Sequence, residues 1–311
     1  MPEDMPMNVA SGWAGIFPAA LTMFDATGRL DEAGTAAHVD RLIGDGANGV
    51  VVAGTSGEFV TLNEPERRRV IEVGVAAARG RVPVIAGTGY ASTSATIALT
   101  EHAANAGASG AIVILPYYMR PTEAEVMEHF RSVGRASPIP IMVYNNPANS
   151  GAPSLSAPRL RELYEAGYAA AVKSTFPTVH EVQELRAEID PGFRVFYGSF
   201  QAPLEAMAGG AHGWISGILN VATVDAVALW NAMQASDLDL ARTIWRRILP
   251  FKLLYTRQQL GPVSDLAIYR AVLNLRGQDG GHCRAPLLDL SDDQVSRLKA
   301  ILEPANLIHV G

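Results

Sequence analysis

Short apolar runs of β-type composition recur along this chain, separated by segments whose apolar positions fall at helical spacing. The runs are "GIFPAAL" from Gly15, "GVVVAG" from Gly49, "VPVIAG" from Val82 and "AIVILP" from Ala111. They continue with "PIMVYN" from Pro140, "AAAVKS" from Ala169, "RVFYGS" from Arg194 and "GWISGI" from Gly213. Several follow similar junctions, "DGANGVVV", "NAGASGAIV", "EAGYAAAVK" and "GGAHGWIS", each with a glycine where a helix would end and a buried strand begin. This is a degenerate internal repeat of αβ units. Between the runs, Asn63 to Glu66 and Thr122 to Glu125 each offer a capping residue with Glu at the third helical position.

About eight such units over roughly 220 residues predict a closed parallel barrel. After "GWISGILN" no further strand pattern appears, and residues 223 to 303 read as helices, with Ser264 and Ser291 as N-caps and Gln294 completing a capping box. The expected fold is therefore α/β, a (β/α)8 TIM barrel over residues 12–235 with a C-terminal α-helical domain over 236–311. A doubly wound open sheet is the alternative if one or two strands are misassigned.

Composition narrows the class. The 311 residues are 48% hydrophobic and 18% charged, enough for a sizeable core and against disorder. A net charge of -6 without a long basic run argues against nucleic acid as a partner. Cys283 is the only cysteine, which fits a reducing compartment. "MPEDMPMNVASGW" lacks the apolar stretch of a signal peptide, and no run of about 18 apolar residues predicts a membrane span. A soluble, cytoplasmic protein is expected.

In a barrel of this kind the chemistry sits at the C-terminal ends of the strands. Those positions hold Thr55, Ser56 and Glu58, then Tyr117 and Tyr118, Tyr144 and Asn145, Lys173, Gly198 and Ser199, and Ser216. The set has one amine, several phenols and small hydroxyls, but no paired histidines or carboxylate cluster that would suit a metal. The chain has only three lysines, Lys173, Lys252 and Lys299, and Lys173 ends the apolar run "YAAAV". One reading is a lysine snorkelling to solvent. The other is a partly buried amine, costly to charge, which in its neutral form attacks a ketone and gives an iminium electron sink. Tyr144 then suits proton shuttling, against a plain reading as a core tyrosine. "GTSGE" lacks the lysine and spacing of a P-loop, and "GTGYAS" fails GxGxxG at its last position, so a small carboxylate fits "TS" better than a nucleotide; an ordinary tight turn is the other reading.

Taken in order, "GTSGE", "PYY", "YNNPANSG", "VKST", "YGS" and "GWISG" resemble the dihydrodipicolinate synthase/N-acetylneuraminate lyase family over about residues 12 to 301. The resemblance implies a homotetramer and class I aldolase chemistry on pyruvate or a related 2-oxo acid, with no cofactor beyond a covalent lysine imine. By motif, Lys173 is the Schiff-base lysine and Tyr144 the acid/base phenol. Thr55 and Ser56 hold the 2-oxo acid carboxylate, and Tyr118 is lent to a neighbouring subunit's proton relay. Gly198 and Ser216 fall on the substrate-binding strand ends, and Ile215 lies where a backbone carbonyl faces the imine. The resemblance also places Glu64, Arg67, Ala91 and Ala95 where synthases bind regulatory lysine; the alanines offer an ammonium no partner, so no such feedback is expected.

Two departures bear on the substrate. Asn149 stands where dihydrodipicolinate synthases carry an arginine for the second substrate's carboxylate, and Phe200 and Gln201 replace the acidic residues of sialic acid lyases. "PANSG" and "GGHCRAPL" lean toward 4-hydroxy-2-oxoglutarate aldolases and relatives acting on 2-oxo-3-deoxy acids. Three readings follow: a lyase making or cleaving a C–C bond between pyruvate and an aldehyde, a dihydrodipicolinate synthase using aspartate semialdehyde, and a non-catalytic barrel that binds 2-oxo acids.

Overall fold

The structure is a computed structural model that describes residue 10 and residues 12–308. The acidic N-terminal stretch and the last three residues of the expected helical domain lie outside them. Eight strands alternate with helices: β1 (Gly15–Pro18), α1 (Glu32–Gly44), β2 (Val50–Val52), α2 (Glu64–Ala78), β3 (Val84–Gly87) and α3 (Thr93–Asn105). β4 (Gly110–Ile114), α4 (Glu123–Ala136), β5 (Ile141–Asn145), the short α5 (Pro147–Ser150), α6 (Ala157–Glu165) and β6 (Ala171–Ser174) follow. The barrel ends with α7 (His180–Glu188), β7 (Arg194–Tyr197), α8 (Pro203–Ala208), β8 (Gly213–Ser216) and α9 (Leu219–Gln234). Beyond it lie α10 (Leu238–Thr256), α11 (Asp265–Leu275) and α12 (Asp292–Leu302).

All seven ladders are parallel, and β1 pairs with β8 at one end of the order β1-β8-β7-β6-β5-β4-β3-β2. A parallel bridge between Ala19 and Val51 links β1 to β2, so the sheet closes on itself. Closure overturns the open-sheet alternative. The expected caps are in place: Asn63 and Thr122 form capping boxes with Glu66 and Glu125, Ser291 does so with Gln294, and Ser264 caps α11.

Strand periodicity decides what faces the centre. Phe17, Ile112, Met142, Ala171, Phe196 and Ile215 pack together inside the barrel, with Phe17 and Phe196 edge to face at 5.0 Å. Their neighbours Ile16, Val113, Val143, Val172, Val195 and Trp214 belong to the layer under the helices. Two residues beyond Met142 and Ala171, the same face presents Tyr144 and Lys173. The strands run out there, so these two cap the packed interior.

Candidate active site

Tyr144 and Lys173 are register partners on the adjacent strands β5 and β6. Both are buried, at 8% and 6% exposure. Lys173 Nζ lies 4.0 Å from the centroid of the Tyr144 ring. The phenol oxygen accepts a hydrogen bond from Asn146 Nδ2 at 3.0 Å and also bonds with the side chains of Thr55 and Lys173. Burial opposes ionisation of this phenol, but the Lys173 charge and the three hydrogen bonds outweigh it and hold Tyr144 below the ordinary tyrosine value. An amine and an acidified phenol therefore share one solvent-shielded strand end.

A cavity of about 490 Å³ opens over this pair, in the size range of small-molecule sites. Thr55, Ser56, Asn149, Gly198 and Ser216 all line it. Gly198 is a close-approach position: a Cβ there would fall 2.1 Å from Thr175 Oγ1 and 2.9 Å from Lys173 Cε, so any side chain would displace the lysine. Ile215 does not line the cavity; it is fully buried in the barrel interior, one residue below Ser216. Tyr118 is not brought to the cavity either. It sits 87% exposed, with φ of 76°, on the loop after β4.

Several site residues escaped the sequence reading. Asn146 caps α5 through its Oδ1, which accepts the Asn149 N–H, and spends its Nδ2 on Tyr144; Asn followed by Pro is a recognisable helix start. Thr175 lines the cavity with its Oγ1 buried and without a hydrogen-bond partner among the described residues. Arg67 is 2% exposed beside the cavity, stacked over Phe59 at 4.5 Å and Tyr90 at 5.1 Å, and it donates to the carbonyls of Gly87 and Gly89. Burial lowers its guanidinium to about 10, still charged at neutral pH. Tyr255 and Asp265 reach the cavity from beyond the barrel.

Glu58, the acid of "GTSGE", is structural. Its Oε1 accepts from Arg270 Nη2 at 2.5 Å, with both side chains at most 2% exposed, and its Oε2 accepts the Arg284 N–H at 3.0 Å. The turn that carries Thr55 and Ser56 is thereby tied to α11 and to the segment after it. "GTSGE" is more than an ordinary tight turn.

Among the described residues, no three His, Cys, Asp or Glu side chains are grouped as metal ligands, and no helix is long and apolar enough to cross a membrane.

A model of the dihydrodipicolinate synthetase family matches residues 12–305. The chain is 36% identical over 290 residues to a 4-hydroxy-tetrahydrodipicolinate synthase of Methanothrix thermoacetophila, covering 93% of this chain and 95% of that one. It is 35% identical to an uncharacterised DapA-like lyase of Halobacterium salinarum, covering 96% and 95%. Among solved structures it is similar to YagE of E. coli K12, a prophage protein of the same family in complex with pyruvate, with a TM-score of 0.88, 29% identity and coverage of 95% and 99%. Dihydrodipicolinate synthase from Aquifex aeolicus superposes with a TM-score of 0.87 at 30% identity, covering 96% and 100%. These matches set aside the non-catalytic barrel: the chain belongs to the dihydrodipicolinate synthetase family and is a lyase of its Schiff-base, pyruvate-dependent class.

Proposed function

We propose that this lyase cleaves or forms the C–C bond between pyruvate and an aldehyde at Lys173, its substrate a 4-hydroxy-2-oxo acid or 2-oxo-3-deoxy acid. The observation that carries the chemistry is the Lys173–Tyr144 pair on neighbouring strands. Lys173 Nζ adds to the C2 ketone, and Tyr144 passes a proton to the carbinolamine oxygen, which leaves as water. The iminium then accepts the electron pair of the C3–C4 bond as the C4 hydroxyl gives its proton to the phenolate. The aldehyde departs, the enamine takes a proton at C3, and water releases pyruvate from the lysine. Thr55 and Ser56 hold the carboxylate in this scheme, Gly198 leaves room for the lysine, and Ser216 bounds the imine side. The reaction as written needs no metal or nucleotide.

The neutral Asn149 on the rim favours the aldolase reading over aspartate semialdehyde, whose carboxylate would find no cation there. The relatives named as 4-hydroxy-tetrahydrodipicolinate synthases support the second reading, condensation with aspartate semialdehyde. We further propose a cytoplasmic homotetramer built of the barrel, residues 12–235, and the helical domain, residues 236–311. In it the exposed Tyr118, next to the exposed Met119, enters a neighbouring copy's site. Lysine feedback is no part of the proposal, since Glu64 and Ala91 are exposed and Arg67 Nη2 is spent on the Gly87 and Gly89 carbonyls.

Borohydride reduction with pyruvate tests the chemistry. It should add one pyruvyl group to Lys173 and none to a Lys173→Ala chain; a label on Lys252 or Lys299 would overturn the assignment. Pyruvate release from a panel of 4-hydroxy-2-oxo acids, run beside condensation of pyruvate with aspartate semialdehyde, then ranks the two substrates.

A further inference from the structure

An aspartate in the first turn of a helix ordinarily faces water, where the helix dipole favours its charge. Asp265 opens α11 behind its N-cap Ser264, yet it lines the same cavity as Lys173. Burial raises its carboxyl above the ordinary aspartate value, partly offset by a hydrogen bond with Tyr269. One turn along, Tyr269 is 4% exposed. A Cβ built on Gly217 would lie 3.1 Å from its ring and 2.6 Å from Ser56 Oγ. The next residue, Arg270, holds Glu58. Tyr269 beside Gly217 and Arg270 on Glu58 therefore hold the start of α11, and Asp265 with it, against the strand ends.

Gln201, on the loop after β7, lines the same cavity. Its N–H donates to Ser199 Oγ, its carbonyl accepts from Lys252 Nζ at 2.5 Å, and the adjacent Phe200 packs edge to face on Tyr255 at 5.2 Å. Of the cations lining the cavity, Lys173 is the proposed nucleophile and Arg67 already serves the Gly87 and Gly89 carbonyls. The rim is left with a carboxyl, carboxamides and hydroxyls, and a three-carbon acid on Lys173 fills only the floor.

We propose that Asp265, with Gln201 and Asn149, is the specificity-determining group for the distal half of the substrate, receiving the hydroxyl groups of a polyhydroxylated 2-oxo-3-deoxy acid. The inference rests on the Schiff-base reading of Lys173 and adds the residues that choose among its substrates. Tyr269 takes only part of the carboxyl's accepting capacity, and desolvating the rest without a donor is costly, so a chain lacking hydroxyls is penalised.

The decisive measurement is a ratio: kcat/KM for pyruvate release from a 2-oxo-3-deoxyhexonate over that from 4-hydroxy-2-oxopentanoate, which has no hydroxyl beyond C4. Asp265→Asn and Asp265→Ala should lower this ratio about tenfold or more. Gln201→Leu should lower it in the same direction, and this variant keeps the test open should the Asp265 chains fail to fold. A ratio unchanged in folded variants, whatever the absolute rates, overturns the proposal. So does a wild-type ratio that favours the hydroxyl-poor substrate. Failure of the wild type to trap pyruvate on Lys173 would instead sink the Schiff-base reading itself.

Discussion

Two parts of the site are built in opposite ways. Tyr144 and Lys173 stand side by side in one parallel ladder, where the pleat and register alone fix their separation. Tyr255 and Asp265 come from helices outside the barrel and reach the rim only because α10 and α11 are fastened to it. The fastening is specific: Glu58 with Arg270, Lys252 on the Gln201 carbonyl, and Arg284 bidentate on Glu66. On the proposed reading, chemistry is placed on the barrel strands, and the surface that meets the variable part of a substrate on attached helices. Loosening the attachment should change what binds before it changes what reacts.

Glu58→Gln strains this division hardest. It leaves the Arg270 guanidinium buried without its counter-charge, a loss of roughly 3–5 kcal/mol of stability. Thermal unfolding should shift down by several degrees, and KM should rise more than the rate of pyruvate trapping falls. Pairing Glu58→Gln with Arg270→Met, which removes the orphaned charge, should recover part of the loss. Equal losses of trapping and of KM in the single variant would show that rim and strand ends are one unit, and the contrast would collapse.

Tyr144→Phe works on the other side. It deletes the proton carrier and keeps the ring against Lys173, so turnover should fall about 10²-fold, near 2.7 kcal/mol, while slow imine formation persists. Because the phenol is held below its ordinary value by the Lys173 charge and its hydrogen bonds, the alkaline limb of the wild-type rate profile should belong to Tyr144 and change shape in the variant. Turnover within a few-fold of wild type would move the acid/base role to another residue.

The same contrast explains what the sequence could and could not disclose. Each strand announces itself through an apolar run, several with a glycine at the junction before it, and period two then aims Tyr144 and Lys173 at the centre. Caps such as Asn63 and Thr122 are local and equally readable. Asp265 carried no such signal. In the sequence it is one more acid after a serine at a helix start, and nothing local says that the helix will lie across a barrel mouth. Glu58 was visible in its motif, but its partner is Arg270, more than two hundred residues away, so its structural role could not be read from the neighbourhood. Tyr118 shows a third case: it stands exposed on the loop after β4, and only the proposed neighbouring copy would give it a site.

The smallest expected effect concerns the barrel frame, apart from the rim. His38 on α1 donates through Nε2 to Asn220 Oδ1 at 2.7 Å, while its Nδ1 accepts from Arg41. Asn220 in turn donates to the carbonyls of Ala19 and Gly217, at the ends of β1 and β8. The ring must stay neutral, because Arg41 has no lone pair to receive a second imidazole proton. Burial, reinforced by the Arg41 charge, lowers His38 to about 3, and His212, whose Nδ1 accepts the Val195 N–H, is lowered to about 4 chiefly by burial. The unfolded chain binds these protons near 6.5 and the folded chain does not. Their contribution is therefore complete above pH 6.5 and is lost as pH falls toward 4, at about 1.4 kcal/mol per pH unit for each ring at most. Substituting His38→Gln, which keeps a hydrogen-bonding side chain without a titrating ring, should flatten the decline of Tm between pH 6.5 and 4. The preference among substrates at neutral pH should hold, since His38 lies in the frame and not on the rim. A decline as steep as in the wild type would place the acid sensitivity elsewhere, and a changed preference would show that frame and rim are coupled after all.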